Sequence, residues 1–229
     1  MEYIVLLIIL ISIYLILKII FDVNLKKIKE IAKDEKLDKI TQKYPENIEI
    51  CKEYLEKLNN NKVNIEEDKN SNTTLYLVIG NKIFIANLKD SYTRIQTIAH
   101  ECLHSIQSKK MLWFNFVFSN VYIIYFVMIC ILTIFKILPT KMLFLTILIL
   151  AGLVFYCVRS YLETDAMTKA RFLAKEYMQE KKISSQEEID SIIEKYDKLN
   201  DIGIKCTNFQ LLSNVLIKMA IFITCCLLV

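Results

Sequence analysis

Four apolar stretches limit what this chain of 229 residues can become. Residues 3–21, 113–135, 142–158 and 209–229 contain only two charged side chains among them, Lys18 and Lys218, whereas the segments between are dense in Lys, Glu and Asp. A helix of about 20 apolar residues crosses the roughly 30 Å hydrocarbon core of a bilayer. The two middle stretches are separated only by residues 136–141 around Pro139, so they read as a transmembrane hairpin with a short outer loop. Their continuous apolarity argues against a pair of core helices in a soluble protein. Three glycines and two prolines leave little to interrupt helices elsewhere. The expected fold is therefore a mostly α integral membrane protein with about four transmembrane helices.

Charge gives the orientation. No Lys or Arg precedes the first stretch, and Lys26, Lys27, Lys29, Lys33, Lys36 and Lys39 follow it. Positive residues are retained on the cytoplasmic side, which puts the amino terminus outside. The first stretch lacks the basic start and small-residue cleavage site of a signal peptide, so it is expected to stay as an anchor. The organisation that follows is an anchor at 1–21, a cytosolic part at 22–111, a membrane hairpin at 112–158, a second cytosolic part at 159–206 and a last span at 207–229. The net charge of +4 is too small and too dispersed to call for nucleic acid. Seven cysteines form no CxxC pair, as expected of small apolar residues in a reducing or lipid environment.

Within 22–111, Leu25, Ile28, Ile31 and Ala32 suggest a short amphipathic helix. A second, over 46–58, opens after Pro45 and stops at Asn59-Asn60-Asn61. Val63-Asn64-Ile65 alternates like a strand, and 75–79 and 83–86 flank Gly80-Asn81-Lys82 as a hairpin. Strand 83–86 is a candidate edge to which an extended peptide could add.

The only two histidines stand in His100-Glu101-Cys102-Leu103-His104. On a helix, residues i and i+4 share a face, so both imidazoles can meet one metal ion, and H-E-x-x-H is a zinc pattern. Ile95, Ile98, Ala99, Cys102, Leu103 and Ile106 would face the core, leaving Gln96, His100, Glu101, His104 and Gln107 on a polar side. Catalytic zinc takes three protein ligands and leaves one position open. The third must be a carboxylate or a cysteine on the same side of the membrane. After an even number of crossings the chain returns there at Tyr161-Leu162-Glu163-Thr164-Asp165, which offers Glu163 and Asp165.

This order of parts, an H-E-x-x-H, a membrane hairpin and then E-x-D-A, resembles the membrane-bound bacterial neutral zinc metallopeptidases. More distantly it is similar to membrane gluzincins such as the CAAX prenyl proteases and the heat-shock membrane peptidases. The resemblance implies a helical, gluzincin-like peptidase domain with a small β-sheet. It implies His100, His104 and Glu163 as metal ligands and Ala166 as a small packing residue. The aspartate that supports a ligand histidine in gluzincins falls on Met167, and 72–79 lacks the aspartate and histidine expected from the closer family.

The expected activity is hydrolysis of peptide bonds in membrane or membrane-adjacent proteins, at the cytoplasmic face of the cell membrane. Zinc would activate water, and Glu101 would serve as general base. Tyr92, Tyr161 and Arg171 are candidates to stabilise the oxyanion. The alternative is a non-catalytic zinc-binding membrane adaptor. A transporter ranks last, since Lys18 and Lys218 are the only ionisable groups within the spans apart from tyrosines and cysteines. The expected partners are a protein or peptide substrate and the lipid bilayer; the oligomeric state is not encoded in any recognisable pattern.

Overall fold

The computed structural model describes residues 1–68, 71, 73–87 and 91–229, including all of Leu25 but its side chain. Position 72, where the segment lacking the expected aspartate and histidine begins, lies outside the described residues, as does the Leu25 side chain of the first amphipathic stripe. The chain is mostly helical, with a small three-stranded sheet. Four helices are long and apolar enough to cross a membrane: α1 (Glu2–Ile20), α6 (Lys109–Ile134), α7 (Lys141–Lys181) and α8 (Gln186–Leu227). The last two run unbroken for 41 and 42 residues, well past the apolar part of each. The charged stretches beside those apolar parts contain no proline, so nothing forces the backbone hydrogen bonding to stop.

The helices and strands belong to two compact units. One comprises residues 1–23, 113–161 and 205–229. Its core is formed by Leu10, Tyr122, Ile129, Leu145, Leu148, Val215, Phe222 and Ile223 among others. Gly152 on α7 lets this core close, because a Cβ there would lie 2.4 Å from a Val215 methyl and 2.8 Å from the Tyr122 hydroxyl. Lys218 places its ammonium 5.3 Å from the Tyr122 ring centroid, which gives the charge a π face inside an apolar helix group. Large apolar side chains such as Ile8, Ile124, Leu143 and Leu150 stay exposed on the outside of this unit.

The second unit comprises residues 24–112 and 162–204. It begins with two short helices, α2 (Leu25–Ile31) and α3 (Glu35–Thr41), capped by Asn24 and Asp34. After Pro45 comes α4 (Asn47–Lys57), and Asn59 adopts the left-handed φ of +53° just beyond its end. Strand β1 (Asn64–Asp68) pairs in parallel with β3 (Lys82–Ala86), and β2 (Leu75–Leu77) pairs with β3 antiparallel. Gly80 and Asn81, both at positive φ, make the β2–β3 turn. The order β1-β3-β2 puts residues 83–86 in the middle of the sheet. That corrects the expectation of an edge strand there: β1 takes the second side of β3, and the edges are β1 and β2. The carboxyl-terminal part of α7 is fastened to α4 by Lys57 with Glu176 (2.9 Å) and Glu180 (2.7 Å), and by the Tyr177 hydroxyl donating to Glu53 (2.7 Å).

Helix α5 (Arg94–Ile106) carries the histidines and packs against α4, β2 and β3. Ile95, Ile98, Ala99, Cys102 and Leu103 are buried as the apolar stripe requires, but Ile106, expected at its end, is 46 % exposed at the last turn of the helix. The opposite side is not a solvent face, however. Gln96, Glu101 and His104 are buried as well. The amphipathic reading is corrected here, because the polar side of α5 faces β2 and the turn of α7 that carries Glu163.

Candidate metal centre

Three side chains converge on one point of the second unit. His100 Nε2 and His104 Nε2 are 3.0 Å apart. Glu163 Oε2, from the first turn of α7 within this unit, lies 3.5 Å from the former and 3.6 Å from the latter. Two imidazole nitrogens and a carboxylate oxygen at such spacing can be held together only by a proton or a cation. A triangle with these sides has a point about 2.0 Å from each corner, the distance at which a metal ion such as zinc takes nitrogen and oxygen donors. The cluster therefore fits a metal ion.

Of the two carboxylates offered by the sequence, Glu163 joins the histidines and Asp165 does not. Asp165 turns to Lys169 Nζ (2.5 Å) and to Gln107 Nε2 (3.0 Å). Cys102 points into the core, where its Sγ touches Cys51 Sγ at 3.6 Å. Ala166, one turn after Glu163 on α7, is fully buried.

Glu101 stands beside the cluster with 6 % of its surface exposed. Its Oε2 accepts a 2.6 Å hydrogen bond from the Tyr76 backbone N–H on β2, and its Oε1 lies 3.9 Å from His100 Nε2. Burial pushes its carboxyl above the ordinary glutamate range, against the pull of the two imidazoles and the Tyr76 amide. A carboxylate so placed is a stronger base than an exposed one. For His104, burial disfavours the imidazolium, but the Glu163 carboxylate outweighs it and the net effect is upward. Both shifts describe the side chains with no cation among them.

The three oxyanion candidates are placed elsewhere or left open. Tyr92 is fully buried, and its hydroxyl donates to the Ile31 carbonyl at 2.9 Å. Arg171 approaches Asp197 at 3.6 Å. Tyr161 is 58 % exposed. Sequence reasoning gave no role to Gln107, although it lies three residues after His104 and its Oε1 sits 2.9 Å from His104 Nδ1. It also overlooked Arg94, the first residue of α5, which is 1 % exposed and hydrogen-bonds to three buried acceptors and the half-buried Pro45 carbonyl.

No family model, curated protein or solved structure matches the chain.

Proposed function

We propose that the protein is a zinc-dependent endopeptidase of the membrane, related to the neutral zinc metallopeptidases that its motifs resemble. The observation that carries the reading is the convergence of His100, His104 and Glu163 beside a buried Glu101. Two imidazoles and one carboxylate form a donor set typical of catalytic zinc, with room for a fourth group. When bound, zinc supplies the Lewis acidity that makes water a nucleophile near pH 7.

The chain's own residues do the rest. The Tyr76 amide holds one Glu101 oxygen and leaves the other aimed at the histidine cluster. That free oxygen accepts the proton of the attacking water, and Glu101 then hands it to the departing amine. A structural metal site has no use for such a base, which favours the enzyme over the adaptor. An extended substrate is expected to lie along β2, since β2 is the sheet edge that touches Glu101. Its exposed Leu75 and Leu77 suit an apolar peptide, whereas the β1 edge carries Glu66, Glu67 and Asp68.

Location follows from the same elements. Two long apolar helix segments lie between His104 and Glu163 in the chain, yet these residues meet in one unit. An even number of crossings accounts for both facts, and the lysines after α1 support a cytoplasmic site.

The test is elemental mass spectrometry on the detergent-purified chain, with turnover of a peptide library measured in parallel. About one zinc per chain is expected, lost in His104→Ala and in Glu163→Ala. Glu101→Gln keeps the Tyr76 contact and should retain zinc while losing turnover. Zinc without turnover in the unaltered protein would leave the adaptor, and no zinc even after reconstitution would end both readings.

A further inference from the structure

We propose that Gln107 is a positioning residue: it fixes His104 in the Nδ1–H form and joins the two helices that bear the three converging side chains. The inference rests on the metal-centre reading for its purpose, but not for its geometry.

The argument starts from the amide itself. A glutamine side chain has a donor end and an acceptor end, and its neighbours decide which way it points. The donor end of Gln107 meets two acceptors, the Leu162 carbonyl at 2.8 Å and Asp165 Oδ2 at 3.0 Å. The Leu162 carbonyl can only accept, and Asp165 lies on the same donor end, with its other oxygen 2.5 Å from Lys169 Nζ. The orientation is thereby settled, and Oε1 is left facing His104 Nδ1 at 2.9 Å. An oxygen there can only accept, so Nδ1 must carry the proton. The lone pair of His104 then lies on Nε2, the nitrogen that faces His100 and Glu163.

The same amide has a second effect. Gln107 lies just past the end of α5, at an extended ψ of 161° that lets its side chain turn across to α7. It binds the carbonyl of Leu162, the residue before Glu163, and so sets where the third side chain stands relative to the histidines. Met167 occupies the position at which gluzincins place a supporting aspartate, and it offers neither charge nor hydrogen bond. Asp165 supplies the charge instead, through Gln107, and acts on His104. Outer partners of this kind commonly change metal affinity by about 10- to 100-fold.

The chain has only two histidines, so selective labelling with ¹⁵N-histidine gives two ring systems, and the spectrum of His104→Ala assigns them. In the metal-free, detergent-purified full chain, at a pH alkaline enough to keep the ring neutral, His104 is expected as the Nδ1–H form with a slowly exchanging ring proton. In Gln107→Leu it should shift toward the Nε2–H form with a fast-exchanging proton, and zinc affinity by chelator competition should fall about 10- to 100-fold. Gln107→Asn, too short to reach both helices, should behave like Gln107→Leu and serves if the leucine variant does not fold. Asp165→Asn keeps an acceptor for the amide and should cost less than either. An unchanged tautomer with zinc affinity within about twofold of the parent would overturn the proposal, as would a larger loss in Asp165→Asn than in Gln107→Leu. A parent protein that takes up no zinc, yet shows the tautomer change, would defeat the peptidase reading alone.

Discussion

Arg94 offers the most direct test of how the histidine-bearing helix is held. A positive charge at the first turn of a helix opposes the helix dipole, so its placement needs a local reason. The reason is the end of α3 and the turn after it, whose carbonyls point inward. Arg94 donates from Nη2 to Thr41 (3.1 Å), Tyr44 (2.8 Å) and Pro45 (2.7 Å), from Nε again to Thr41 (3.3 Å), and from Nη1 to Asn47 Oδ1 (2.6 Å). Arg94→Met fills much of the same volume but takes the donor from the Tyr44 and Pro45 carbonyls and from Asn47 Oδ1, while the Thr41 carbonyl keeps the Tyr44 N–H at 3.1 Å. Each orphaned buried acceptor costs about 1–3 kcal/mol. Water reaching the turn, and relief from burying a guanidinium, offset part of that, for a net loss of about 3 kcal/mol. In hydrogen–deuterium exchange of chelator-treated protein, that loss appears as roughly 100-fold lower protection of the most protected α5 amides. Protection within about fivefold of the parent would show that the carbonyls find other donors, and would refute the reasoning. Arg94→Lys should not rescue it, since one ammonium cannot span acceptors arrayed around a planar fork.

Two further predictions concern separate parts of the molecule. Gly152→Ala should lower the thermal midpoint of the detergent-solubilised protein, at a cost of about 1–3 kcal/mol for overpacking, because the new methyl meets Val215 and Tyr122; an unchanged midpoint would mean that the α7–α8 contact is looser than described. Lys195 at 2.8 Å, followed by the Leu37 and Lys36 amides, holds the Asp34 carboxyl below its usual range against a smaller effect of burial. A depressed folded-state pKa stabilises fully above the unfolded value near 4 and ceases to do so as pH falls through the lower folded value. Asp34→Asn should therefore cost up to about 1 kcal/mol at pH 7 and progressively less as pH falls through the lowered folded value; urea titrations showing the same gap at pH 7 and under strongly acidic conditions would contradict the ion pair.

What was legible in the sequence was local. The i, i+4 spacing placed His100 and His104 together, apolar length marked four helices, and Gly80-Asn81 marked the hairpin turn. Glu163 was within reach because few carboxylates open the segment after the second apolar pair. What escaped depends on partners remote in the chain. Residues 83–86 became a central strand because β1, with its polar sequence Asn-Ile-Glu-Glu-Asp, pairs in parallel across a connection that includes β2. Glu101 and His104 are buried because a helix with neighbours on every side has no solvent face, and periodicity alone assumes one. Gln107 and Arg94 were invisible for the same reason: part of what they bind is backbone carbonyl, which is not written in side-chain letters, and their side-chain partners Asp165 and Asn47 are remote in the chain.

The spacing of the three converging side chains also has a consequence for biosynthesis. About 60 residues, carrying the whole apolar pair, separate His104 from Glu163, so at typical elongation rates the carboxylate is polymerised roughly 3–12 seconds after the second imidazole. A nascent chain that stalls within the pair holds the histidines and Glu101 but lacks the carboxylate that completes the cluster. The order of residues along the message thus acts as a timer: a chain that has not yet made both apolar helices cannot complete the cluster that could hold a metal ion.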